Sequence, residues 1–191
     1  MTYTRRDSFL PFTRPVIGQE EIDEIIDSIH SGWITTGPKA ARFEQELARY
    51  NGVPHCLVMN SATTAQEITL QCLGLKPGDE VITTSLTWVS TLSTVILQGG
   101  VPVLVDIDPK TMNMDPAKLE AAITPRTVGI IPVHLTGLPC PMDAVWAAAE
   151  THGLWVVEDA AQAMGAHYKG RKIGADPRSL MSVYSFHPNK N

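Results

Sequence analysis

Along the chain, short apolar runs of strand length alternate with longer segments in which apolar residues return every three or four positions. The runs fall at 56–59, 80–83, 102–106, 129–133, 154–158 and 181–186, and several are apolar nearly throughout. Such runs suit parallel strands covered on both faces, since a half-solvated strand would alternate apolar and polar positions. Between them, Ile22, Ile25, Ile26 and Ile29 form one helical stripe. Phe43, Leu47 and Tyr50 form a second, and Ala65, Ile68, Cys72 and Leu75 a third. The punctuation agrees. Asp115 ahead of Pro116 predicts a helix N-cap with proline in the first turn, and Gly32 and Gly153 stand where helices should end. Pro77-Gly78-Asp79 predicts a turn feeding a strand at Glu80. The alternation predicts an α/β domain with a mainly parallel sheet flanked by helices. Ligands of such sheets bind beyond the carboxyl ends of the strands.

Composition narrows the picture. The 191 residues suffice for one domain-sized core, and 43% hydrophobic content is that of a folded domain. A net charge of −5 gives no electrostatic reason to expect nucleic acid or an anionic membrane as partner. No run approaches the roughly 18 apolar residues of a membrane span. Residues 1–15 have a basic pair but neither the apolar core nor the small-residue cleavage site of a secretion signal. Cys56, Cys72 and Cys140 match no metal spacing and are expected to be buried thiols in a reducing compartment. The expectation is a soluble cytoplasmic protein without a metal.

Four predicted strand ends carry polar groups. The run at 56–59 opens into Asn60-Ser61-Ala62-Thr63-Thr64-Ala65, and free N–H groups with hydroxyls at a helix N-terminus suit a phosphate. Simple N-capping by Ser61 or Thr63 accounts for the same residues. The second run leads to Ser85-Leu86-Thr87-Trp88, whose indole serves either a flat ligand or the core. The fifth ends in Glu158-Asp159, followed closely by Gln162. Carboxylates after an apolar strand need a partner, which a cationic ring nitrogen, a metal or an arginine would supply. The sixth runs through Ser185-Phe186-His187-Pro188-Asn189 to Lys190. Alone, such a lysine is a solvated charge. Together, the four ends offer a phosphate seat, a stacking face, an acid for a pyridine nitrogen and an amine for an aldehyde. These are the needs of pyridoxal 5'-phosphate (PLP). The first strand-to-helix junction has no G-x-G-x-x-G, which argues against a nucleotide-binding oxidoreductase.

At motif level the chain resembles the DegT/DnrJ/EryC1/StrS family of sugar aminotransferases. Gly32-Trp33-Ile34-Thr35-Thr36-Gly37-Pro38 resembles that family's N-terminal active-site loop. Glu158-Asp159-Ala160-Ala161-Gln162-Ala163, and Ser185-Phe186-His187 with Lys190-Asn191, resemble its two cofactor motifs. Stretches 31–39, 84–91 and 122–127 resemble the branch that aminates a UDP-linked 4-keto-pentose in lipid A modification. Gln162 departs from that branch, where histidine is expected, and Pro188-Asn189 ahead of the lysine is also unusual. Lys190 separates the chain from relatives that carry histidine there and act as sugar dehydratases.

The resemblance implies the PLP-dependent transferase fold type I (aspartate aminotransferase-like). Residues 1–191 would be the N-terminal part of the PLP-binding large domain, with the smaller C-terminal domain absent. It implies that Ala62, Thr63 and Ser185 hold the cofactor phosphate and that Trp88 stacks on the pyridine ring. Gln162 would lie near the ring or its 3′ oxygen, Asp159 would pair with the pyridine nitrogen, and Lys190 would form the Schiff base. It further implies a homodimer acting on glutamate/2-oxoglutarate and a sugar nucleotide. A further strand after the lysine would lie between the first and sixth strands, so this chain is expected to be incompetent alone. The alternative is a non-catalytic fragment or relative that binds cofactor or sugar nucleotide without turnover.

Overall fold

Five of the six apolar runs become strands of one parallel sheet. The structure, a computed structural model, describes residues 7–11 and 13–190. Asn191 of the lysine motif, and residues 1–6 and 12 of the leading segment, lie outside them. In chain order the strands are β1 (Glu80–Thr84), β2 (Val101–Val105), β3 (Thr127–Ile130), β4 (Trp155–Asp159), β5 (His167–Tyr168), β6 (Arg171–Lys172) and β7 (Met181–Val183). The main sheet runs in the order β2-β1-β3-β4-β7, and β5 and β6 form a separate antiparallel hairpin. Glu80 pairs with Val101 on one side of β1, and Ile82 with Ile130 on the other. The chain thus leaves β1 outward to β2 and returns on the opposite flank to β3. This reversal opens a crevice at the strands' carboxyl ends.

The helices are α1 (Gln19–Ser31), α2 (Pro38–Asn51), α3 (Ala62–Cys72), α4 (Ser90–Leu97), α5 (Leu119–Ala122) and α6 (Met142–His152). Two apolar layers explain the sheet. Ile82, Ile130 and Val156 point to one face, against Leu119, Met142, Val145 and Trp146. Val81, Ile131 and Val157 point to the other, against Leu70 of α3 and Val95 of α4. The period-2 alternation of strand side chains sends neighbouring residues to opposite layers, so covered strands read as unbroken apolar runs. Gly129 faces Trp155 across β3 and β4, and a Cβ there would lie 2.1 Å from the indole. The predicted stops are observed, with Gly32 and Gly153 in the left-handed region at the ends of α1 and α6. Asp115 caps a short 3-10 turn, Pro116–Lys118, before α5, accepting the Ala117 N–H at 3.0 Å.

Three expectations are corrected. Residues 56–59 are not a strand. Leu57 and Val58 are exposed, and the run pairs with no strand among the described residues. The third stripe is not the buried face of α3, which carries Gln66, Thr69 and Leu70 while Ile68 and Cys72 are exposed. Among the cysteines only Cys140 is buried, its thiol pushed up to about 12 by desolvation. No helix among the described residues is long and apolar enough to cross a membrane.

Candidate active site

Asp159 ends β4 and faces the layer of α3 and α4, opposite to Glu158. It is buried, and its Oδ2 accepts hydrogen bonds from Gln66 Nε2 at 2.8 Å and from Thr91 Oγ1 at 2.7 Å. Its Oδ1 accepts the Ala161 N–H at 3.2 Å. Thr91 is itself held by Thr87, with 2.8 Å between the hydroxyl oxygens. The backbone is fixed as firmly, because Asp159 N–H donates to Pro132 O and Asp159 O accepts from His134 N–H. All three donors to the carboxylate are neutral. Among the described residues no cation lies within ion-pair distance of Asp159. A buried carboxylate held by neutral donors retains an uncompensated charge and suits a cationic ligand group. Gln66 Oε1, buried beside it, has no hydrogen-bond partner among the described residues.

The phosphate candidate is the start of α3. Ser61 caps the helix by accepting the Thr64 N–H at 3.0 Å, and Ala65 N–H donates to Ser61 O. The Ala62 and Thr63 N–H groups precede the first intrahelical bond and donate to no acceptor among the described residues. Capping and an anion seat therefore coexist, because the cap uses one donor and leaves two. Ser185, just beyond β7, accepts the His187 N–H at 3.3 Å.

Trp88 is exposed at the rim after β1, and Lys190 Nζ lies 6.0 Å from its ring centroid. The Lys190 N–H donates to His187 O at 2.8 Å, closing the loop that carries it. Phe186 packs edge-on against Phe43 of α2 at 5.1 Å between centroids. Gln162 lies in the turn after β4, where its Oε1 accepts the Thr136 N–H at 2.7 Å. The structure thus brings Trp88 and Lys190 together, and sets Asp159 and Gln162 in and just beyond the end of one strand.

Sequence reasoning did not find Gln66, Thr91 and Thr136. Gln66 had a signal, a glutamine on the sheet-facing side of a helix, but it was masked by choosing the wrong apolar stripe. Glu158, the other half of the carboxylate pair, points to the opposite face. Its Oε2 lies 2.9 Å from His134 Nε2, with both residues buried, so this pair belongs to the core. The predicted loop residues Trp33, Thr35, Gly37 and Pro38 line a cavity of about 270 Å³ with Lys39 and Arg42 at its wall.

Residues 15–191 match the DegT/DnrJ/EryC1/StrS aminotransferase family. The chain is 48% identical over 187 residues to the spore coat polysaccharide biosynthesis protein SpsC of Bacillus subtilis, covering 98% of this chain and 48% of SpsC. The PLP-form of the putative sugar aminotransferase Spr1654 from Streptococcus pneumoniae superposes with a TM-score of 0.90 at 38% identity, covering 95% of this chain and 50% of that one. DesI, solved in the presence of its TDP-sugar product, gives 0.84 at 36% identity over 95% of this chain and 46% of that one. The chain spans about half the length of these relatives.

Proposed function

Since the chain belongs to the DegT/DnrJ/EryC1/StrS aminotransferase family, we propose that it carries the PLP-binding half of an enzyme that aminates a keto-sugar nucleotide. The observation that carries this reading is Asp159, a buried carboxylate supported by neutral donors and facing a site that needs a cation. A protonated pyridine nitrogen fits that need, and the residues around it fit the rest of PLP. Bound PLP supplies an aldehyde that takes up the amine and a ring that accepts the electrons released when a C–H bond breaks.

The chain's own residues then divide the work. Asp159 holds the ring-nitrogen proton in place, because its negative charge favours the charged form of its neighbour. Gln66 and Thr91 keep that carboxylate oriented by hydrogen bonding. The Ala62 and Thr63 N–H groups, with the Thr63 and Ser185 hydroxyls, seat the phosphate. Trp88 covers one face of the ring. Lys190 would hold the cofactor through its amine, and the same amine would move a proton at the donor's α-carbon.

The finer assignments are glutamate as donor and a UDP-linked 4-keto-pentose as acceptor, in lipid A modification. They rest on stretches 31–39, 84–91 and 122–127, and the sugar-nucleotide class is further supported by the TDP-sugar in DesI. The enzyme is proposed to be a cytoplasmic homodimer. Residues 1–191 are proposed to form the N-terminal part of its large domain.

The test is to add PLP to the purified chain, reduce with borohydride and locate the modified peptide by mass spectrometry, with Lys190→Ala as control. A single adduct at Lys190, absent from the control, is the expected result. Labelling spread over other lysines, and equal in the control, would remove Lys190 from its role.

A further inference from the structure

We infer that Thr136 is a positioning residue whose backbone N–H turns the Gln162 amide, leaving both N–H groups of that amide for the ligand of the strand-end site. The inference deepens the proposed function and rests on it for the ligand, a negatively charged ring oxygen of PLP. A backbone N–H can only donate. The Gln162 atom 2.7 Å from Thr136 N is therefore the oxygen, and Nε2 is the end left over. Nε2 donates to no acceptor among the described residues.

Thr136 makes this contact from an unfavourable backbone conformation, φ 54° and ψ 23°, which β-branched residues rarely adopt. Ties on both sides hold it there. Asn113, itself buried, accepts the Leu135 N–H at 3.0 Å through Oδ1 and donates to Leu138 O at 2.9 Å through Nδ2. Below the loop, Cys140 N–H donates to His134 Nδ1 at 3.0 Å, so the ring proton sits on Nε2 and faces Glu158. The neighbouring Gly137 is also left-handed, at φ 83°, and a Cβ there would lie 3.0 Å from Gln162 O. The loop backbone thus lies directly against Gln162. A loop tied this firmly, and bent this way at a threonine, delivers one donor to one acceptor.

Hydrogen exchange at individual amides, followed by NMR in the 191-residue chain and in Gln162→Met, tests the contact. The Thr136 amide should exchange about tenfold faster in the variant, the loss of one hydrogen bond. The Leu135 and Leu138 amides, whose acceptors are untouched, should keep their rates. Equal Thr136 rates in the two proteins, or rapid exchange already in the unsubstituted chain, overturn the proposal. Gln162→Glu tests the orientation. Its carboxylate accepts from Thr136 equally well, so Thr136 stays slow, but it turns an acceptor toward the ligand. Weaker PLP binding or a changed absorbance of Lys190-bound PLP in Gln162→Glu supports the proposal, and unchanged binding and absorbance overturn it. No PLP on Lys190 in either protein counts against the proposed function instead, and the exchange comparison alone then decides the contact.

Discussion

At the residue scale, two adjacent carboxylates face opposite layers and have opposite consequences. Asp159 is an investment in a ligand, since its charge gains nothing from a protein cation. Asp159→Asn removes the buried charge while leaving a side chain that still accepts from Thr91, so thermal melting should show unchanged or raised stability. PLP affinity, followed by absorbance titration, should fall at least about tenfold, the order of one charge-assisted bond. A destabilised variant with intact PLP affinity would reverse the assignment. Glu158 and His134 are a packing pair, and here the two deletions differ. His134→Leu strands a buried carboxylate and should cost about 3 kcal/mol or more in urea unfolding. Glu158→Leu strands only a neutral imidazole N–H and should cost about 1–2 kcal/mol. The sequence made both carboxylates visible as a strand-end pair but not their division of labour. Facing is set by strand register, and the partners Gln66 and His134 are distant in the chain. Thr136 was invisible for a different reason, because a left-handed threonine has no signature beside that of an ordinary loop residue.

At the element scale, what was legible is what local chemistry decides. Helices with caps and stops appeared where Gly32, Gly153 and Asp115 put them, and the strands inside the sheet appeared within a few residues of their apolar runs. The failure at 56–59 has the opposite cause, since a strand exists only with a partner and that partner is not written in the run itself. The isoleucine stripe of α1 is a related case. Its period is helical and the helix forms, yet Ile22, Ile25, Ile26 and Ile29 stay exposed and α1 buries no residue. Charge pairs from α2 hold it instead. Lys39 Nζ lies 2.5 Å from Glu24 and 2.9 Å from Asp27, and Arg42 lies 2.7 Å from Glu24. These hydrogen bonds hold the Glu24 carboxyl down to about 2 from its ordinary 4.5. A carboxyl depressed on folding contributes stability that is complete above its unfolded value and is lost as pH falls through the folded one. The packing of α1 on α2 should therefore loosen between pH 4.5 and about 2. Trp33 fluorescence, isolated by replacing the other three tryptophans with phenylalanine, should report this. Glu24→Gln should show the loosened signal at neutral pH, and high salt should mimic it because the pairs are exposed. A flat profile in both proteins would show that other contacts hold α1.

At the scale of the whole molecule, these local facts leave apolar side chains exposed at more than one place. The sheet ends at β7, whose outer edge has no ladder partner among the described residues. Near it in sequence, Leu180, Met181 and Phe186 are exposed, as are Leu57 and Val58 of the segment expected to be a strand. The α1 stripe adds four isoleucines, and relatives of this fold are about twice as long as the chain. An open strand edge together with bare apolar side chains is the ordinary template for association. The 191-residue chain should therefore self-associate at tens of micromolar in sedimentation velocity and enhance the fluorescence of an apolar dye. Two substitutions separate the sources. Met181→Lys places a charge on the open edge, whereas Ile25→Lys breaks the α1 stripe without touching the sheet. If the edge drives association, the first should restore the monomer and the second should lower dye binding alone. If the stripe drives it, the effects exchange. A chain that remains monomeric and binds no dye would show that these side chains are covered in solution, and the exposed face would lose its meaning as a docking surface.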